Sequence, residues 1–256
     1  MAVTFTEHGR VGRITLDNPP ANSYDVTVMN EFSAAVDEAI DSGARAVVVA
    51  SASEKFFSAG ADVKKFLEGD VQSNMDMILT SQAAFRRMAA AEAVFIAHIN
   101  GHALGGGLEI ALACDIRLAN RGNYKLGTPE VTLGLLPGNG GTQRLTRLIG
   151  RSRALELLLT GRTFSPEDAH AWGLVAGLYD PEDAEDRVRA YALRFAHGAT
   201  LATAAIKRAV HSGAEMTLDE GLALEAQLIE ELFQTEDARE GLHAFVEKRD
   251  PEFAGA

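Results

Sequence analysis

The 256-residue chain has a single cysteine, Cys114, which excludes an internal disulfide and any metal cluster built on several cysteines. Cys114 sits in the apolar run Ile110–Ile116, so a buried structural thiol is expected there rather than a nucleophile. No apolar run reaches the roughly 18 residues that a membrane-spanning helix needs. Basic residues are scarce: 24 Lys and Arg face 36 Asp and Glu, for a net charge of −12. That is the wrong sign for general nucleic-acid affinity. An anionic ligand would need a local basic patch, and Lys55, Lys64 and Lys65 offer one candidate, Lys248 with Arg249 another. Met1–Arg13 lacks the charged and apolar segments of a secretory leader, so a cytoplasmic setting is expected.

Several catalytic signatures are also missing. There is no phosphate loop of the Gly-x-x-x-x-Gly-Lys-Ser/Thr type, no His-Glu-x-x-His and no Gly-x-Ser-x-Gly elbow. His98 and His102 have the spacing of a helical metal pair, but Asn100-Gly101 between them breaks the helix that would align them. Gly138-Asn139-Gly140-Gly141 lacks the remaining glycine pattern and preceding strand of a dinucleotide site, and reads as a turn. No metal is expected, and no cofactor beyond what a substrate carries.

What is present describes an α/β chain. Hydrophobic residues make up 46% of it, enough for a sizeable core. Val11–Leu16 alternates apolar and polar residues as a half-buried strand does, and Asp17-Asn18-Pro19-Pro20 stops it. Val28, Phe32, Ala35, Val36, Ala39 and Ile40 recur at helical spacing, with Ser42-Gly43 as the stop. Ala46–Ala50 is a short continuous apolar run, as in a strand buried on both faces. A helix from about Asn74 to Ala91, a strand Val94–Ile99, a turn at Gly105-Gly106-Gly107 and a helix from Leu108 follow. Beyond about Gly150 the patterns are nearly all helical. Leu218, Leu222, Ala226, Ile229 and Phe233 mark one apolar face, which Leu224, Leu228 and Leu232 widen. A helix apolar on more than one stripe needs more than one neighbour. The expected organisation is a core over residues 1–195 and a helical region over 196–256.

Two segments carry chemical information. Phe56-Phe57-Ser58-Ala59-Gly60-Ala61-Asp62-Val63-Lys64 and Asn100-Gly101-His102-Ala103-Leu104-Gly105-Gly106-Gly107-Leu108-Glu109 are both small-residue turns that follow a strand and lead toward a helix. Such turns let backbone N–H groups approach a ligand, and at a helix N-terminus those groups have no internal partner. Two of them converging on one oxygen make an oxyanion hole; tight strand-to-helix packing is the other reading. Glu109 stands in an otherwise apolar stretch, and Glu130 follows Thr128-Pro129 and precedes Val131, Leu133, Leu135 and Leu136. Among apolar neighbours a carboxyl has its pKa raised toward neutrality, as a general acid or base requires. Either could instead be an exposed glutamate on an element's edge.

Taken in order, Ser58-Ala59-Gly60-Ala61-Asp62, Asn100-Gly101 through Gly105-Gly106-Gly107-Leu108-Glu109, Pro129-Glu130 and Leu136-Pro137-Gly138-Asn139-Gly140-Gly141-Thr142-Gln143-Arg144-Leu145 resemble the crotonase, or enoyl-CoA hydratase/isomerase, superfamily. The resemblance extends to Ala171-Trp172-Gly173-Leu174-Val175 and to Lys248–Phe253, nearly the whole chain. It implies a spiral of ββα units with a helical C-terminal trimerisation region, as a trimer or dimer of trimers. It implies an acyl-CoA thioester whose carbonyl oxygen rests on the backbone N–H groups of Ala61 and Gly106. Ala59, Ala61, Asp62, Val63, Lys64 and Gly106 would line the substrate path, with Lys64 and Lys65 near the coenzyme A phosphates. Glutamates at both Glu109 and Glu130 resemble the hydratases. The resemblance implies that Glu130 delivers a proton to the α-carbon while Glu109 orients and activates water.

One departure stands out: Asn120-Arg121-Gly122-Asn123-Tyr124 is about one residue longer than in similar hydratases, which puts the placement of Glu130 at issue unless the loop absorbs it. Fold alone does not select the reaction. A Δ3,Δ2-enoyl-CoA isomerase, in which one glutamate shuttles a proton, is the nearest alternative. A non-catalytic acyl-CoA-binding or RNA-binding relative is an alternative of another class, opposed by the retained glutamate pair and by the acidic charge.

Overall fold

The computed structural model describes all 256 residues. Its first half is strand-rich: β1 (Val3–His8), β2 (Val11–Leu16), β3 (Ser23–Tyr24), α1 (Val26–Asp41), β4 (Ala46–Ser51), β5 (Phe56–Ser58), β6 (Gly60–Ala61), α2 (Val63–Glu68), α3 (Val71–Ala90), β7 (Val94–Ile99), β8 (His102–Leu104), α4 (Gly106–Ala113), β9 (Ile116–Asn120) and β10 (Leu126–Gly127). A single 3-10 turn, Glu130–Leu133, leads into α5 (Gly141–Ile149), α6 (Arg151–Thr160) and α7 (Pro166–Ala171). After β11 (Gly177–Tyr179) the chain is helical: α8 (Pro181–Ala196), α9 (Thr200–Gly213), α10 (Leu218–Leu232) and α11 (Glu236–Glu247).

The strands form a six-stranded sheet, β1-β2-β4-β7-β9-β11, and a three-stranded sheet, β10-β8-β5, with β3 and β6 paired apart. Only the β1–β2 pair is antiparallel in the large sheet. Each turn of the chain gives one strand to the large sheet and one to the small, β4 then β5, β7 then β8, β9 then β10. Repetition of that step is a spiral of ββα units. It places the ends of the small-sheet strands, and the glycine turns that follow them, side by side.

The continuous apolar runs are explained by two-sided burial. On β4, Val47 and Val49 face the main core, whereas Ala46, Val48 and Ala50 face a second cluster that includes Val188 and Ala192 of α8. Period-two geometry requires this division, and each fully buried valine contributes on the order of 1.5–3 kcal/mol. Helix α1 begins where Asp25 caps it through an N–H bond from Val28 at 3.0 Å, and it buries Met29, Phe32, Ala35, Val36 and Ala39. Phe32 meets Phe85 of α3 edge-on at 6.1 Å.

Some boundaries differ from those expected. Helix α3 starts at Val71 because Asp70 caps it, accepting from Ser73 N at 2.8 Å; Val71 is 81% exposed and so adds nothing to the buried stripe. Helix α4 starts at Gly106 rather than Leu108, and ends at Ala113, with Ile116 already in β9. Gly105, at φ +54°, makes the turn into α4, and an unbroken apolar run does not announce where a buried helix gives way to a strand.

The C-terminal helices are fastened to the body by a buried lysine. Lys207 of α9 donates to Met88 O at 2.7 Å and Ala93 O at 2.6 Å and pairs with Asp115 at 2.9 Å. On α10, Leu228 is buried, whereas Leu218, Leu222 and Ile229, with Phe233 just after the helix, lie on the surface of the single chain. No helix is long and apolar enough to cross a membrane.

Candidate active site

The two glycine turns are pressed together. Gly60 has φ +85°, and a Cβ there would lie 2.7 Å from Leu104 O and 2.9 Å from Gly106 N. A side chain on Gly107 would overlap the Ser58 carbonyl. Only glycine permits both the left-handed conformation and this approach. Ser58 locks the first turn, donating from Oγ to Asn22 O at 2.7 Å and accepting from Gly60 N at 3.1 Å.

The amides of these turns have a definite direction. β3 and β6 run parallel, with Tyr24 opposite Ala61, and Asp62 N donates to Tyr24 O at 2.8 Å. Successive N–H groups of an extended strand face opposite sides, so the Ala61 N–H faces away from β3. Gly106 is the first residue of α4, where an N–H has no intrahelical acceptor and stands at the positive end of the dipole. The Ala61 amide thus points away from β3 and the Gly106 amide stands at a helix start, on adjoining turns.

Further along, Ala59 N is taken by Ala21 O at 2.9 Å. Asp62 caps α2, accepting from Lys64 N at 2.9 Å, so its carboxylate sets the direction of the helix rather than standing free. Val63 and Lys64 are exposed on the first turn of α2, and Lys65 pairs with Glu68 at 3.2 Å.

Glu109 is 1% exposed. It lies in the first turn of α4, and its Oε1 accepts from Asn139 N and Gly141 N, each at 2.7 Å. Both donors belong to the Gly138–Gly141 turn at the start of α5, with Gly140 at φ +105°. The sequence reads that segment only as a turn; in the fold it is a two-amide cradle for a carboxyl, the anion-binding use of a helix N-terminus. Burial nevertheless outweighs these donors, and the nearby Glu130 adds to it, holding the Glu109 carboxyl at a pKa of about 7.

Glu130 opens the 3-10 turn after Pro129. Its Oε2 is buried without a hydrogen-bond partner, and its Oε1 would lie 3.0 Å from a Cβ on Gly105. Burial raises its pKa as well. In the Asn120–Tyr124 loop before it, Tyr124 folds inward, 8% exposed, with its hydroxyl 2.6 Å from Asn120 O and 3.0 Å from Ile99 O. β10 then pairs in register with β8, and Glu130 arrives beside the Gly105 turn.

Two further residues converge here that sequence reasoning misses. Tyr24 is 3% exposed, and a side chain on Gly106 would overlap its hydroxyl. Its Oη accepts from Asn139 Nδ2 at 2.9 Å. Burial, then the charges of Glu109 and Glu130, push the phenol well above its ordinary pKa, so it is neutral at physiological pH. The strand that carries it, Ser23–Tyr24, is too short to show periodicity. The available signal is an aromatic hydroxyl following the Asp17–Pro20 stop.

The family model described as enoyl-CoA hydratase/isomerase matches residues 6–256. The chain is 39% identical over 258 residues to a probable enoyl-CoA hydratase of Bacillus subtilis, covering 99% of each. It is 36% identical to the short-chain-enoyl-CoA hydratase of Clostridium acetobutylicum, over 96% of this chain and 95% of that one. The crystal structure of an enoyl-CoA hydratase from Bacillus anthracis superposes with a TM-score of 0.94 at 34% identity, covering 100% of both chains.

Proposed function

The chain belongs to the enoyl-CoA hydratase/isomerase family, and from that premise we propose that it adds water reversibly to a 2-enoyl-CoA thioester, giving the 3-hydroxyacyl thioester. The observation that carries this reading is the pairing of a buried carboxyl, Glu109 in the first turn of α4, with a half-buried one, Glu130, whose Oε2 is enclosed and whose Oε1 lies against the Gly105 turn that leads into α4.

The thioester oxygen accepts from the N–H groups of Ala61 and Gly106. As water attacks the β-carbon, negative charge moves onto that oxygen, and each amide stabilises the enolate by about 3–4 kcal/mol. Glu109, fixed through Oε1 by Asn139 and Gly141, uses its other oxygen to take a proton from the attacking water. Glu130 gives its proton to the α-carbon. One C–O and one C–H bond form, the C=C bond becomes single, and the two glutamates exchange protonation states. Reversal of the same steps is dehydration. No further cofactor is required.

Coenzyme A would enter along Ala59–Lys64, with the exposed Lys64 near its phosphates. The acyl chain would run toward α3, whose Gln82 donates to Gly138 O at 2.7 Å, and toward the exposed Leu135 and Leu136. The uncovered apolar residues of α10 support a homo-oligomer, a trimer or dimer of trimers.

Incubation with crotonyl and longer 2-enoyl thioesters tests the reading. A 3-hydroxyacyl product is expected. Its absence, with only movement of the double bond, would assign the Δ3,Δ2-isomerase reaction instead.

A further inference from the structure

Around the glutamates the protein presents an excess of acceptors. Both hydrogen bonds to Glu109 fall on Oε1, Glu130 Oε2 is buried without a partner, and so is Asn139 Oδ1. Tyr24 brings the complementary group. Its Oη accepts from Asn139 Nδ2, which leaves the phenolic hydrogen to donate, and no protein acceptor takes it. The hydroxyl is tied to the Glu109 side, because Asn139 donates to Tyr24 through its side chain and to Glu109 through its main chain. It also packs on Gly106, the residue following the Gly105 against which Glu130 rests.

A water molecule matches this arrangement. It donates toward carboxylate oxygens and accepts one hydrogen bond through a lone pair, while the other lone pair is free to attack. We propose that the Tyr24 hydroxyl, held by the Asn139 carboxamide, is a third group of the reaction centre that donates a hydrogen bond to the attacking water and favours hydration over proton transfer alone. The inference rests on the hydratase reading above. No proton leaves Tyr24: the water's proton goes to Glu109, and the α-carbon receives its proton from Glu130, so the phenol ends each turnover as it began. Asn139, which acts through Tyr24, is a positioning residue.

The test compares two rates in one protein. Hydration of a 2-enoyl thioester needs the water; exchange of the α-protons of the matching saturated thioester into heavy water needs only the oxyanion amides and an acid/base carboxyl. Tyr24→Phe keeps the ring and deletes the donor. The ratio of hydration to exchange is expected to fall roughly 10- to 100-fold, the effect of one lost hydrogen bond at a polar centre. Asn139→Ala retains the backbone amide on Glu109 and releases the phenol, so the ratio falls in the same direction. The double variant falls no further than Tyr24→Phe, as expected of residues acting as a unit. An unchanged ratio in Tyr24→Phe, whether both rates drop together or neither drops, overturns the proposal while leaving the hydratase reading intact. A wild-type protein that exchanges α-protons but forms no 3-hydroxyacyl product overturns both.

Discussion

At Glu109 three influences compete, and their order decides what the residue does. Removing the carboxylate from water outweighs the two backbone N–H bonds that favour its charge, and Glu130 tips it further, so the group titrates near 7 instead of 4.5. A carboxyl raised in this way binds its proton more tightly in the folded chain. Folding stability therefore falls as pH rises from about 4.5 toward about 7, and stays lower above that. The full effect is about 3 kcal/mol at roughly 1.4 kcal/mol per pKa unit. Denaturant unfolding should show wild type losing about 2–3 kcal/mol more stability than Glu109→Gln between pH 5 and pH 8; parallel pH dependences would contradict the burial argument. The same titration should appear in turnover as an acid limb of kcat/KM near 7, since a protonated Glu109 takes no proton from water. Glu109→Gln and Glu130→Gln should each lower kcat by roughly 10²–10⁴-fold with little change in thioester affinity, and steady-state kinetics with the two variants checks both.

Elements matter here chiefly through their ends. The groups proposed to act or to hold them sit on helix starts and glycine turns: Gly106 and Glu109 in the first turn of α4, and Asn139 and Gly141 at the start of α5. Gly140→Ala should therefore be costly: it forces an alanine to φ +105° and drives its Cβ into the Arg144 guanidinium. The expected result is a fall in kcat larger than the fall in stability, read from kinetics and thermal unfolding together. Sequence patterns exposed much of this framework. The two-sided strand β4, the strand β7, the amphipathic α1, both glycine turns and the glutamates are legible because each is local, a period or a cluster of unusual residues. Tyr24 and Asn139 are not, because their meaning lies in contacts across 115 positions of chain between them and 30 between Asn139 and Glu109. The start of α4 was obscured for a different reason: burial on every side erases the polar face that marks a helix.

Across the whole molecule, the spiral explains why residues far apart in sequence meet. Each ββα step returns the chain to the same edge of the small sheet, so the segments after β5, β8 and β10 stack and deliver Ala61, Gly106 and Glu130 in turn. The helical end is attached at Lys207, whose replacement by methionine would leave the Met88 and Ala93 carbonyls without this donor and Asp115 with only the Phe95 amide and His211. Breaking such a pair from one side costs about 3–5 kcal/mol, which thermal unfolding should register. Leu222 on α10 and Phe233 at its C-terminal end are 52% and 69% exposed in the single chain, an arrangement that suits an interface between copies. Sedimentation of Phe233→Glu should show a smaller species than wild type; identical sedimentation would place the interface elsewhere.

Running the reaction with a crotonyl thioester in heavy-oxygen water and weighing the product by mass spectrometry follows the attacking water itself. Wild type should place one heavy oxygen on the β-carbon of a 3-hydroxyacyl thioester, and Glu109→Gln and Glu130→Gln should each reduce that labelling by at least about 10²-fold. A product without the label, or wild-type labelling by either variant, would contradict a mechanism in which both carboxyls serve one attacking water.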